Sequence, residues 1–240
     1  MTIGTLLGFS DTTVSPATGY SYRVSAVDAS GNESPLSPAA TVTPPPGTPG
    51  ATIFSDGFES GGLTLWTTAN GLVVQQQEVY SQLWGARGTT SGTLAYALTP
   101  LSSLQLDLYF RVRFKLNSRS TTVNLLKFRS DAAGNTSLLT AHVSTSGRLG
   151  YKNDVTGVST TGAMPVSLGV WHTLQVHVRI NGAASETETW FDGVRQADLS
   201  KTESLGTTPI GRIQIGDSTS GHVFDVAFDD VVAATTFIEG

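Results

Sequence analysis

Nine side chains set between apolar neighbours are the first candidates for chemistry: Tyr109, Arg111, Arg113, Lys127, Arg129, His177, Arg179, Glu188 and Trp190. Successive residues of a strand point to opposite sides, so each belongs on the face away from an apolar core. If their strands are neighbours, they share one surface. Aromatic rings there offer apolar sugar contacts, while Arg and Glu bond hydroxyl or acidic groups. The alternative is a structural ladder of Arg opposite Glu, each pair contributing about 0.2–1 kcal/mol. Trp66 and Trp171 are read as core residues.

Catalytic and metal-binding patterns are thin. Glu186 and Glu188 in "SETETW" lie on one face. A retaining glycosidase pair stands about 5–5.5 Å apart across the scissile bond, a geometry that one strand seldom supplies. His172 and His177 are five apart on a strand, face opposite sides and cannot share a zinc ion. His142 and His222 lack neighbours of metal-ligand type. The sequence therefore predicts a chain that is not an enzyme.

The elements that must position these residues are strands. "LDLYFRVRFKL" alternates Leu106, Leu108, Phe110, Val112, Phe114 and Leu116 with polar residues, and "WHTLQVHVRING" repeats the device. "TETWFDGVRQ" is a hairpin whose Asp192-Gly193 suits a type I′ turn. "IGRIQIGD" and "VFDVAFDDVVA" supply the last strands. No run keeps a helical period, so residues 51–240 read as one antiparallel two-sheet domain. Residues 1–43 are set apart by "TPPPGTPG", whose prolines favour an extended linker over 44–50.

Composition narrows the partners. The 240 residues are 39% hydrophobic and only 14% charged, with a net charge of −5 and no cysteine. Disulfides and thiolate metal sites are excluded, and electrostatics give no reason to expect nucleic acid. No apolar run reaches the roughly 18–20 residues of a membrane span, and no signal peptide is visible.

Within 1–43, Val14, Pro16, Thr18 and Tyr20, then Tyr22, Val24 and Ala26, then "GNES", resemble strands E to G of a fibronectin type III domain. Tyr20 falls at its tyrosine-corner position. Strands A to D are missing, which implies a fragment of a longer protein or completion by another chain. Three motifs carry a second resemblance: "FSDGFESGGLTLWT", "GVWHTLQVHVRI…WFDGVRQ" and "VAFDDVVA". Through them residues 53–233 resemble the concanavalin A-like jelly rolls, which include laminin G-like domains, legume lectins and several glucanases.

The resemblance implies more than a fold. In that group the opening segment and last strand often hold a structural Ca²⁺, which wants about six to eight oxygens. Here Asp56 and Glu59 would supply one side, with Asp229 and Asp230 on the other. Alternation lets only one of the latter two ligate directly. The other reading makes Asp56 and Glu59 turn caps and leaves the aspartates solvated. The polar strand face of such jelly rolls is often a concave sugar-binding surface, which implies Tyr109, Arg111, Arg113, His177, Arg179, Glu188 and Trp190 as glycan ligands. The group's glucanases carry Glu-x-Asp-x-x-Glu, and "SETETW" lacks the Asp and the third carboxylate. "GDSTSG" departs from the Gly-Asp-Ser-Gly-Gly loop of serine proteases. The implied role is a non-catalytic, glycan-binding or adhesive module of a secreted or cell-surface bacterial protein. Alternatives are an assembly module completed by another chain through strand addition, and a glycan-cleaving enzyme.

Overall fold

The computed structural model describes residues 19–42, 52–130 and 135–239. The chain divides into two compact units, 1–49 and 50–240. In the first, β1 (Tyr20–Tyr22) pairs antiparallel with β2 (Ala40–Val42), Tyr20 opposite Val42. Asp28 organises the turn between them, its Oδ1 accepting from the amides of Ser30 and Asn32. Val14, Pro16 and Thr18 lie outside the described residues. The fibronectin resemblance is not established by the pairing of two three-residue strands.

The second unit is an all-β antiparallel sandwich. One sheet has, in spatial order, β12 (Ser159–Pro165), β11 (Arg148–Asn153), β10 (Ser137–Val143), β9 (Val123–Arg129), β17 (Ile210–Asp217), β7 (Ala95–Gln105) and β4 (Thr68–Asn70). The other runs β15 (Val194–Arg195), β14 (Ser185–Phe191), β13 (Trp171–Arg179), β8 (Asp107–Arg119), β18 (Val223–Ala234), β6 (Gly85–Ser91) and β5 (Leu72–Gln75). Two further strands join it: β16 (Lys201–Glu203) pairs with β14, and β3 (Thr52–Asp56) with β18. The one helical element among the described residues is a single 3₁₀ turn, Ala197–Leu199.

Alternation explains the core. Along β8, Leu108, Phe110, Val112, Phe114 and Leu116 are fully buried while the residues between them face outward. Phe110 meets Phe128 of β9 edge to face at 5.8 Å, so the two sheets are joined ring to ring. Each such side chain contributes about 1.5–3 kcal/mol on burial. The β14–β15 hairpin turns through Asp192 and Gly193, both at positive φ (49° and 77°), as a type I′ turn requires. Among the described residues no helix is long and apolar enough to cross a membrane.

Candidate functional site

The seven residues read as glycan ligands share one face, on the outside of the nine-stranded sheet. Register sets Trp190 and Arg111 on either side of Gln175, and Glu188 and Tyr109 on either side of His177. Arg113 and Arg179 complete the set of seven. Lys127 and Arg129 do not belong to it. They lie on β9 of the other sheet, between β10 and β17. Alternation fixes which way a side chain points within its strand, but not which sheet the strand joins.

Apart from Arg111, which donates to the Glu239 carbonyl, the charged groups of this face are paired within the protein. His177 stands between Asp107 (Nε2 to Oδ1, 2.8 Å) and Glu188 (Nδ1 to Oε2, 3.1 Å), and Arg179 pairs with Glu186. Arg113 donates to Thr173 Oγ1 at 2.9 Å, meets Asp230 at 3.3 Å and lies over the Tyr80 ring. Tyr109 stacks on His177 with centroids 4.0 Å apart. Burial, with the Asp107 and Glu188 charges close by, pushes its phenol up to about 12. Burial opposes the ionised Glu188, but hydrogen bonds from His177 and Arg195 outweigh it and hold this carboxyl below its usual value. This is the ladder arrangement.

The four acidic residues read as calcium ligands converge on one neighbourhood, the segment 80–84 and the opening turn. Asp56 accepts from Phe58 N and Trp66 Nε1, which also fixes Trp66 in the core. Glu59 accepts from the amides of Leu83 and Trp84. Asp229 is fully buried and accepts from the amides of Tyr80, Ser81 and Asp230. Asp230 accepts from Ser81 Oγ. Strict alternation was expected to separate the last two. Instead the register of β18 breaks between Asp229 and Val232, with Asp230 at φ 45°, and this bulge brings both to Ser81. Among the described residues no three His, Asp or Glu groups stand close enough to hold a metal ion. Their oxygens already accept from amides, Ser81 and Arg113, so this donor set as placed does not fit a calcium ion. Burial is the largest effect on Asp56 and Asp229 and pushes both carboxyls up.

The site that the sequence reading missed lies on the outer face of the seven-stranded sheet. A cavity of about 320 Å³ is lined by Asn124, Lys127, Thr140, His142, Lys152, Asp154, Thr219 and His222, among others. Register explains the gathering: His142 sits opposite Asn124 and Gly150, and Thr140 opposite Lys127 and Lys152. Gly150 leaves the imidazole its room, since a Cβ there would lie 3.1 Å from His142 Nε2 and 2.6 Å from Thr160 O. Burial pushes the His142 pKa down, so the ring is neutral at neutral pH. Burial likewise lowers that of Lys127, whose ammonium is held by Ser218 Oγ at 3.3 Å. Lys152 is paired with Asp154 at 3.3 Å.

Behind the cavity sits Asp217, fully buried at the end of β17. It accepts from Asn124 N (2.8 Å), Asn124 Nδ2 (2.9 Å) and Thr219 N (2.8 Å), and its Oδ2 lies 2.7 Å from His222 Nδ1. A carboxylate accepts, so Nδ1 of His222 is the donor in this contact and Nε2 is the ring nitrogen left for another partner. A base oriented by a buried acid is the pattern of general acid–base catalysis. One sequence signal pointed here: "GDSTSGH" places Asp217 and His222 at the two ends of one short turn.

No family model matches the chain. An alpha-amylase of Niallia circulans is 39% identical over 79 residues, which is 30% of this chain and only 6% of that protein. Among solved structures, the cellulose-induced protein Cip1 superposes with a TM-score of 0.63 at 19% identity, covering 78% of this chain and 99% of Cip1. A carbohydrate esterase from the Shiga toxin-encoding bacteriophage phi24B superposes at 0.54 and 16% identity, covering 78% of this chain and all of the esterase. These likenesses agree with the all-β antiparallel sandwich. They also overturn one expectation. The sequence predicts a chain that is not an enzyme, yet 78% of it superposes on the whole of a carbohydrate esterase and 79 residues match an alpha-amylase, so that expectation is withdrawn.

Proposed function

We propose that residues 50–240 form a glycan-cleaving domain whose working surface is the cavity on the seven-stranded sheet. The observation that carries this reading is the Asp217–His222 pair at the edge of a cavity containing a buried ammonium. His222 Nε2 is placed to take a proton from the substrate or from water. Lys127 has three donors and spends one on Ser218, which leaves two for a sugar hydroxyl or carboxylate. His142 adds a neutral imidazole beside it. A desolvated cation with no carboxylate at bonding distance among the described residues favours an acid-bearing glycan over a neutral one. Such polymers lie outside cells, which supports a secreted or surface location.

The test is degradation of a panel of polyuronate and neutral polysaccharides, read as new chain ends. The full chain is expected to cleave a polyuronate, and His222→Gln to lose at least about 100-fold in rate, the low end for an acid–base group. His222 is partly exposed, so the melting temperature should hold. Equal rates for the two proteins would remove His222 from the chemistry. Tight binding with no cleavage of any substrate would leave a lectin-like domain instead.

A further inference from the structure

Beside Lys127 runs a chain of hydrogen bonds that ends on Ser218. Register places Gln214 of β17 opposite Lys127 of β9, and Arg129 follows two residues along β9. Gln214 is 1% exposed and uses its whole amide within the protein. Its Oε1 accepts from Arg129 Nη1 at 3.1 Å, while its Nε2 donates to the Gly216 carbonyl and to Ser218 Oγ, both at 3.1 Å. Arg129 is fixed in turn by Asn135, whose Oδ1 accepts from Nε at 2.8 Å and whose carbonyl accepts from Nη2.

This chain has only one direction. A guanidinium donates and never accepts, and a carbonyl accepts and never donates, so the Gln214 amide cannot be flipped between Arg129 and Gly216. Ser218 Oγ is therefore an acceptor from Gln214, and Lys127 Nζ donates to it a second time at 3.3 Å. A hydroxyl has two lone pairs and one hydrogen. Both lone pairs are taken, and the hydrogen meets no acceptor among the described residues. Ser218 is half-buried, so that hydrogen is within reach of a ligand. Together with the two remaining hydrogens of Lys127 it forms a corner that only donates. A sugar hydroxyl both donates and accepts and leaves half its capacity unused there. A carboxylate only accepts and uses all of it, through charge-assisted bonds.

We infer that Ser218 is a specificity residue of the cleft, donating its hydroxyl hydrogen to the carboxylate of an acidic sugar held by Lys127, and that Gln214 and Arg129 position it by keeping that hydroxyl a donor. The inference rests on the cleft proposed above for its substrate class, but it does not depend on cleavage. It divides the turn after β17 into two roles: Asp217 orients His222, and its neighbour Ser218 reads the substrate.

The experiment is calorimetric titration with a galacturonic acid hexamer and with its carboxyl-reduced, neutral counterpart, in a His222→Gln background so that neither is consumed. The acidic hexamer should bind the tighter of the two, by about tenfold or more. Ser218→Ala should reduce that preference about tenfold, as expected for one hydrogen bond to a charged group, and leave affinity for the neutral hexamer within about twofold. Gln214→Glu keeps the side-chain shape but can only accept. Ser218 should then turn its hydrogen inward, with the same loss of preference. In the double variant the two losses should not add, because both act through one hydrogen; repulsion from the new charge alone would persist without Ser218 and add. Thermal melting reports whether each variant is folded, and Ser218→Ala decides alone if the buried Gln214→Glu is not. An unchanged acid preference in Ser218→Ala, additive losses in the double variant, or no acid preference in the starting protein would each overturn the proposal. A Ser218-dependent preference in a chain whose intact His222 cleaves no polyuronate would uphold it and confine the failure to the catalytic reading.

Discussion

Arg113 and Arg179 look alike in the sequence, each the polar partner in an alternating strand, yet their surroundings set opposite expectations. Arg179 and Glu186 are 45% and 38% exposed, so their pair is solvated and screened. Arg179→Ala should change unfolding free energy by less than about 0.5 kcal/mol in urea denaturation. The Arg113 side chain is 15% exposed, bonds Thr173 and Asp230, and covers Tyr80. Arg113→Ala should cost about 2–3 kcal/mol, from a charged hydrogen bond and a desolvated cation–π contact. Equal small effects would mean that the Arg113 network carries no stability. Asp225 gives a pH prediction at the same scale. The hydrogen bond from Arg87 holds its carboxyl below the usual 3.8, more than offsetting burial. A folded pKa lower than the unfolded one contributes stability that is complete above about 3.8 and lost as pH falls through the folded value. Asp225→Asn should therefore flatten the acid limb of the stability curve and lower the plateau at neutral pH. A curve with unchanged shape would contradict this.

Strands are where sequence reading succeeded and where it stopped. The period-two pattern of β8 and β13 placed Tyr109, Arg111, His177 and Arg179 on one face because a pleat leaves no other choice. The same rule misled at Asp229 and Asp230, where a bulge adds a residue that no local pattern announces. It also could not assign Lys127 to a sheet, since pairing β9 with β10 and β17 is a nonlocal event. His142 and His222 have no partners nearby in sequence that mark them, and their neighbours arrive across strands and around a turn. The bulge makes its own prediction. Asp229 accepts three N–H groups while fully buried, so Asp229→Ala strands all three and should cost about 3–5 kcal/mol. Because those donors satisfy the carboxylate without a cation, EDTA should leave the melting temperature unchanged. A drop reversed by added Ca²⁺ would show that the acidic residues rearrange around a metal.

At the scale of the molecule, the sandwich has two outer faces of different character. One is a ladder of ion pairs with Phe237 packed against its aromatic end. The other carries an open cavity with a neutral buried histidine, a desolvated lysine and a histidine oriented by Asp217. All-β topology could be read from alternation and turn residues. Which face holds the chemistry could not, because both present polar residues at every second position. The direct test is an NMR titration of the isotopically labelled full chain, carrying His222→Gln to prevent turnover, with a galacturonic acid hexamer. The account predicts shifts concentrated at Asn124, Lys127, His142 and Thr219, with the Tyr109 and Trp190 signals unmoved. Shifts confined to the nine-stranded sheet, or none at saturating hexamer, would contradict it.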